Sequence, residues 1–291
     1  MINTETLLKK SNVKYKNEEI FKNFVTTQYD CSLPSLSGKL YHTLRVTKNC
    51  EELATKLNLD QKYGVDIGLL HDFARFEQWK QFGTFVDRYS VDHADMGVDM
   101  LFDQNLIDMF NISNQEKPII YYSVKFHNKA NIDYDYIKNT IKDESIFKIT
   151  KIEKCPLNFD EIILYCKISR DGDKIDLLNR IIAGEMKVSS TNDGYTPECL
   201  NRILDKQFVY LKDINTKLDR LFCFIGFLFD INFGQSFSLF SLEDFFKSLI
   251  INYGKNLNKE DLEFLKLIIN KSKNNLIEKY SLNDFILELN N

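Results

Sequence analysis

The sequence GLLHDFARFEQW, at residues 68–79, places a histidine, an aspartate and an arginine inside an apolar run. His71 and Asp72 are adjacent, and Arg75 follows one helical turn after His71. The apolar residues have the spacing of the buried face of a helix; they are Leu69, Leu70, Phe73 and Phe76. We therefore predict one helix through this stretch, with polar side chains beside its buried face, where a polar group needs a partner.

The composition of the chain favours a helical globular fold. Its 291 residues are 44% hydrophobic and include only 11 Gly and 4 Pro, too few for a turn-rich β architecture. Apolar residues recur at helical spacing along most of the chain, and only SIFKITKIE at 145–153 leaves a strand open. We predict an all-α fold, with a site-bearing bundle at residues 1–190 and accessory helices at 191–291 packed on it as one compact unit.

Charge and cysteine usage limit the classes of partner and compartment. The net charge of −4 gives no overall reason to bind nucleic acid. The most hydrophobic stretch, LFCFIGFLFDINF, is interrupted by Asp230 after nine residues, too few to cross a bilayer. The N-terminal MINTETLLKK lacks the apolar core of a signal peptide, and the six cysteines have no CxxC spacing. We expect a cytoplasmic protein with neither a membrane nor a nucleic acid as partner; the sequence indicates no oligomeric state.

The histidines of the chain all fall on different predicted helices. In chain order they are His42, His71, His93 and His127. Asp173 lies on a fifth predicted helix, so with Asp72 the order is H…HD…H…H…D. A helix directs only one face into a bundle, so a compact ligand cage needs residues from several helices. Imidazole with carboxylate suits transition metals better than Mg or Ca, and the order therefore predicts a transition-metal site inside the bundle.

This order resembles the HD-domain superfamily of metal-dependent phosphohydrolases. The resemblance covers roughly residues 20–182 and is most specific in the segments YHTLRV, LLHD and DGDKIDLL. It implies an HD-domain helical bundle with additional C-terminal helices. It also implies the ligands of a first metal ion, which are His42, His71, Asp72 and Asp173. His93 and His127 match the extra ligands of members with two metals, in which Asp72 would bridge the ions.

The ligand set implies one or two divalent transition-metal ions, drawn from Mn, Fe, Zn, Ni and Co. In a one-metal enzyme, His93 and His127 would instead support the ligands of the first ion or contact the substrate. Asp171 and Asp176 lie close to Asp173 and are alternatives for the last ligand. The sequence leaves open whether one or two ions bind and which aspartate is the last ligand.

Cationic residues near the predicted ligands indicate an anionic substrate. Three of them lie within four residues of a histidine and are predicted to act in catalysis; they are Arg75, Arg45 and Lys125. Residues three or four apart share a helix face, and arginine and lysine both bind phosphate. Lys39, next to Gly38, is predicted to lie in or beside a loop and to be solvated. The expected partner is a small, anionic, phosphate-containing substrate.

The resemblance implies a phosphohydrolase that acts on a nucleotide or another small phosphate ester through a metal-activated water. An HD-type di-iron oxygenase is an alternative, because the same ligand order serves both chemistries. A non-catalytic module that binds a nucleotide or a partner protein is a second alternative. A nuclease is a third, which the acidic net charge disfavours.

Overall fold

The structure, a computed structural model, describes residues 16–153 and 158–280. Within these ranges every regular element is a helix and no strand is present, so the all-α prediction is confirmed. The N-terminal stretch quoted above lies outside them. The chain divides into two compact units, Met1–Asp173 and Lys174–Asn291. The predicted division at residue 190, which separates a site-bearing part from an accessory part, stays a prediction.

The first unit contains the helices that carry the predicted ligands, and its last helix, α9, continues into the second unit. The described α-helices are α1 (Lys16–Gln28), α2 (Pro34–Lys56), α3 (Gln61–Leu70), α4 (Arg75–Phe82), α5 (His93–Val98), α6 (Glu116–Phe126), α7 (Tyr134–Lys142), α8 (Ser145–Ile149) and α9 (Phe159–Ile182). Shorter 3-10 helices and a π-helix lie between them, at Asp87–Tyr89, Leu106–Met109 and Asp99–Asp103.

The second unit is built from four further α-helices and short helical turns. The α-helices are α10 (Pro197–Leu204), α11 (Lys217–Phe229), α12 (Leu242–Ser248) and α13 (Lys259–Tyr280). The turns are the 3-10 helices Leu211–Asp213, Gly234–Leu239 and Gly254–Asn256 and the π-helix Leu249–Tyr253. The apolar stretch noted in the sequence forms most of α11, and most of its side chains are buried. Among the described residues, no helix combines the length and apolarity needed to cross a bilayer.

The opening stretch is not one helix, and the prediction of a continuous helix there was wrong. Helix α3 ends at Leu70, and α4 begins only at Arg75. Between the two helices the backbone hydrogen bonds are of the 3-10 type. The backbone N–H of Phe73 donates to Leu70 O at 3.1 Å, and that of Arg75 donates to Asp72 O at 3.0 Å. These bonds span three residues rather than four, so the backbone forms a tight turn at residues 71–74. The turn allows both side chains to face one place, which adjacent positions of a straight helix do not.

Aromatic packing holds this turn in the core. Phe73 is 1% exposed, and its ring stacks on Phe24 with the centroids 5.3 Å apart. Phe21 and Phe110 contact the same ring from other sides, at centroid distances of 6.2 and 6.1 Å. Burying an aromatic ring contributes several kcal/mol, roughly 3–5 if judged by truncation to alanine. The side chains of the turn are therefore fixed by the core beneath them.

The strand left open at 145–153 is not formed. Ser145–Ile149 is helix α8, and the backbone N–H of Thr150 donates to Ile146 O at 2.9 Å. Ile146 and Thr150 are four residues apart and both are buried. Burial of these two residues on one face of a helix therefore outweighs the preference of β-branched residues for strands.

Two glycines let α2 and α3 approach closely beneath the predicted ligands. A Cβ placed on Gly64 would lie 2.7 Å from Cys50 O, and one on Gly68 would lie 2.8 Å from Thr47 Cα. Both neighbouring atoms belong to the backbone of α2, which cannot move away by a rotamer change. The spacing of four residues puts both glycines on one face of α3. This contact sets the distance between the helix that carries His42 and the turn that follows α3.

We expect Gly68→Ala to lower the free energy of unfolding by about 1–3 kcal/mol, because the added methyl group overpacks the contact with α2. Gly38→Ala is the matched control, because Gly38 is also helical but a Cβ there has no neighbour within 4 Å. That variant should gain stability, by up to about 1 kcal/mol, from helix propensity. Urea unfolding followed by circular dichroism measures both changes. Equal effects of the two substitutions would contradict the close contact.

Candidate metal centre

The six predicted metal ligands come together in the first unit. They lie on different elements: His42 in α2, His71 and Asp72 in the turn after α3, His93 at the start of α5, His127 directly after α6, and Asp173 in α9. They form two groups, within each of which one ligand atom per residue lies within 4.8 Å of the others. The first group is His42, His71 and Asp173, and the second is Asp72, His93 and His127.

The carboxylate of Asp72 lies between the two groups. Its Oδ2 is 3.3 Å from Nε2 of His42 and 3.3 Å from Nε2 of His71. Its Oδ1 is 3.3 Å from Nε2 of His93 and 3.4 Å from Nε2 of His127. We call His42, His71 and Asp173 the first site, and His93 and His127 the second site. Asp72 belongs to both. One carboxylate thus faces two sets of imidazoles with separate oxygens.

Backbone carbonyls orient two of the imidazoles. Nδ1 of His71 is 2.7 Å from Gly68 O, and Nδ1 of His127 is 2.7 Å from Val124 O. A carbonyl oxygen only accepts hydrogen bonds, so both Nδ1 atoms carry the proton and donate. In a neutral ring the Nε2 atom then has a lone pair, and in both residues this atom faces Asp72. These are the tautomers that a metal ion bound at Nε2 requires.

Nε2 of His71 lacks the partner that such a lone pair needs. Nε2 of His71 is buried and accepts no hydrogen bond. Nε2 of His93 and Nε2 of His127 lie 2.9 Å apart, and Nδ1 of His93 bonds to the carboxylate of Asp87. Burial lowers the pKa of His93 to about 4, so its ring is neutral near pH 7. When the His127 ring is also neutral, two buried lone pairs face each other and repel unless a cation lies between them, and the donor set therefore fits a bound metal.

The spacing of the donor atoms agrees with this fit. Nitrogen and oxygen ligands bind transition metals at about 2.0–2.2 Å, which places neighbouring donor atoms about 2.8–3.6 Å apart. The contacts around Asp72 lie within that interval, as does the distance of 3.3 Å between Asp173 Oδ1 and His42 Nε2. The buried His and Asp side chains can therefore hold a metal ion, and their mixture of imidazole and carboxylate suits Mn, Fe, Co, Ni or Zn.

Both carboxylates of the cluster are held ionised. Burial alone would raise the pKa of Asp72, but the neighbouring Lys39 ammonium outweighs it, so that the pKa lies well below its usual value. Burial would likewise raise the pKa of Asp173, and the interaction with His42 reverses the effect, so that this pKa is also lowered. Ionised carboxylates are the form that binds a metal ion.

The predicted cations have different positions. Arg75 reaches the cluster, with Nε 3.4 Å from Asp72 Oδ1. Arg45 is exposed on α2, and Lys125 Nζ is 3.3 Å from Asp95 Oδ1, outside the six ligands. The structure brings Arg75 to the site, and a catalytic role for Arg45 and Lys125 stays a prediction.

Lys39 was predicted to be solvated beside a loop, and this prediction was wrong. It lies inside α2, three residues before His42, and its Nζ is 2.6 Å from Asp72 Oδ2. Only 16% of its side chain is exposed. Its position on the ligand face was readable from the spacing of three, because residues at i and i+3 share a face of a helix.

Asp87 and Gln78 are site residues that sequence reasoning missed. Asp87 contacts His93 and Arg75, and Gln78 contacts Asp87 and Arg75. Gln78 is three residues after Arg75 in α4, a spacing that was available in the sequence. Asp87 precedes α5 in a short 3-10 helix, so no helical periodicity relates it to His93.

A third group of potential ligand atoms lies next to the second site, formed by Asp87, Asp92 and His93. Asp92 is the N-cap of α5, and its Oδ1 accepts from the backbone N–H of Ala94 at 3.0 Å. Its Oδ2 accepts from the ammonium of Lys129 at 2.6 Å. Because these donors already satisfy Asp92, we interpret this group as the surroundings of His93 rather than as a third ion site.

Among the described residues, the groups of potential ligand atoms include Asp173 and neither Asp171 nor Asp176, so Asp173 is the candidate for the last ligand.

Comparisons of the chain with protein family models, curated proteins and solved structures found no match. The interpretation of the site therefore rests on the geometry and chemistry of its own residues.

Proposed function

We propose that the chain is a metal-dependent phosphohydrolase of the HD type that acts on a nucleotide or another small phosphate ester. The observation that carries this proposal is the position of Asp72, with one oxygen toward the imidazoles of the first site and the other toward those of the second. A carboxylate placed in this way can bridge two metal ions. The six residues of the two sites are also those that the HD resemblance assigns as ligands.

Two cations at the edge of the cluster support an anionic substrate. The ammonium of Lys39 and the guanidinium of Arg75 both contact Asp72. Two divalent ions would outweigh the negative charges of Asp72 and Asp173, so with Lys39 the loaded site would be net positive. Such a site favours a phosphate ester over a neutral substrate.

Bound ions would lower the pKa of a water molecule and polarise the phosphoryl oxygen. The residues of the chain orient and enclose the reacting groups. The side chain of Asp173 is 39% exposed and is the most open of the ligands, whereas that of His71 is fully buried. Substrate would therefore approach on the Asp173 side. Lys39 and Arg75 are placed to stabilise negative charge that develops on the phosphoryl group.

We expect the metal-stripped protein, reloaded with Mn, Fe, Zn, Ni or Co, to release phosphate or nucleotide from at least one compound of a nucleotide panel. The panel contains nucleoside mono-, di- and triphosphates, cyclic nucleotides and dinucleoside polyphosphates. Asp173→Asn should lower kcat/KM by about 100-fold or more, because it removes a ligand carboxylate at the open side of the site. Asp160→Asn is the matched control, because Asp160 is an exposed aspartate in the same helix, α9.

The other outcomes separate the alternatives. Turnover that survives complete removal of metal would contradict the proposal. Oxygen uptake without phosphate release by the iron-loaded protein would favour the di-iron oxygenase. Nucleotide binding with no turnover under any metal would favour a binding module.

A further inference from the structure

Asp87 connects the second site to α4, the helix that follows the turn at His71 and Asp72. Its Oδ2 is 2.7 Å from Nδ1 of His93. Its Oδ1 accepts from Arg75 Nη1 at 2.9 Å and from Gln78 Nε2 at 3.0 Å. Each carboxylate oxygen therefore has its own donors: the imidazole and, at 3.5 Å, Asn128 Nδ2 on one side, and two side chains of α4 on the other.

Gln78 fixes the orientation of this carboxylate. Its side chain is fully buried, and its Nε2 also lies 3.1 Å from Val91 O, which can only accept. Its Oε1 accepts from Arg75 Nη1 at 2.8 Å. The amide therefore cannot be turned around without placing an acceptor against an acceptor. Gln78 and Arg75 therefore each direct a fixed N–H donor at Asp87, on the side away from His93.

We propose that Asp87 is a positioning residue that keeps the ring proton of His93 on Nδ1, and thereby leaves the Nε2 lone pair for an ion at the second site. The carboxylate has no proton to donate, so His93 must donate to it through Nδ1. The opposite ring nitrogen then faces Asp72 and His127. This inference rests on the metal site of the proposed function, and it assigns Asp87 to one of the two sites.

An asparagine at this position cannot replace the aspartate. If its oxygen faces Arg75 and Gln78, its NH₂ group faces His93 Nδ1, so the ring must move its proton to Nε2. If the amide is turned around, its NH₂ group faces the two donors of Arg75 and Gln78 instead. Because those donors are fixed, we expect the first arrangement, in which Nε2 is protonated and cannot bind an ion.

The experiment uses the full chain and two readouts. In the metal-free wild type, ¹⁵N NMR of the imidazoles should show His93 protonated at Nδ1 and unprotonated at Nε2. In Asp87→Asn the proton should lie on Nε2. Titration with Mn²⁺ should then show the affinity for the second ion reduced about 10- to 100-fold, the range expected for loss of an outer hydrogen bond. The affinity for the first ion should change by less than about twofold, because its ligands do not contact Asp87.

Asp95→Asn is the control for charge, because Asp95 is an exposed carboxylate two residues after His93. It should leave the tautomer and both affinities unchanged. Protonation of His93 at Nε2 in the wild type would overturn the proposal, even if the Asp87 variant fails to fold. An equal loss at both sites in Asp87→Asn would also overturn it, because it would indicate general destabilisation. Absence of Mn²⁺ binding to the wild type would instead contradict the metal site itself, and the NMR readout on metal-free protein separates the two results.

Discussion

Asp72→Asn is expected to abolish metal binding at both sites, with each affinity reduced by more than about 100-fold. That loss exceeds the range for a missing outer hydrogen bond, because a direct ligand is removed. Among the residues that the structure describes, Asp72 is the one with an oxygen toward each set of imidazoles. An amide has no charge, and its NH₂ group would face imidazole lone pairs on one side. Metal content by mass spectrometry and Mn²⁺ titration calorimetry measure the effect.

Two comparison variants sharpen this prediction. His127→Ala removes a ligand of the second site alone, so it should leave one ion bound. Asp95→Asn removes an exposed carboxylate and should leave both ions bound. If Asp72→Asn still bound one ion with the affinity of the wild type, Asp72 would not join the two sites.

Lys39→Met is expected to lower the free energy of unfolding of the metal-free protein by about 3 kcal/mol. The substitution removes the ammonium that lies 2.6 Å from the nearly buried carboxylate of Asp72, and loss of one partner from such a pair is costly. Saturating Mn²⁺ should restore most of this loss, because a bound ion supplies the missing positive charge. Urea unfolding in EDTA and in excess Mn²⁺ gives both values.

The matched control for this prediction is Lys48→Met in the same helix. Lys48 is exposed and lies 3.7 Å from Glu52, a surface pair whose loss costs about 0.5 kcal/mol or less. Metal should not alter that small change. A loss in Lys39→Met that is equally large with and without Mn²⁺ would show that the lysine acts through packing rather than through its charge.

The residues of the candidate metal centre could be named from the sequence because the chemistry of a metal site restricts residue type. The chain has only four histidines, and each lies at a different helix or turn, so a cage that uses imidazole has few candidates. The helical class followed equally from the spacing of apolar residues. The structure places these histidines around Asp72, as their order suggested.

The supporting residues could not be predicted in the same way. The end of α3 at Leu70 has no glycine or proline to mark it, and it depends on the burial of Phe73 among rings distant in sequence. Asp87 and His93 are joined by a 3-10 turn and a loop, to which Gln78 is hydrogen-bonded. Such contacts arise from tertiary packing, to which no sequence periodicity corresponds.

We predict that Asp72 joins two ion sites. Anomalous diffraction at the Mn edge, from crystals grown with excess Mn²⁺, tests it most directly. We predict two peaks, each about 2.0–2.3 Å from its ligands. One should be bound by His42, His71, Asp173 and Oδ2 of Asp72, and the other by His93, His127 and Oδ1 of Asp72. Peaks confined to surface carboxylates, with none beside Asp72, would contradict the account.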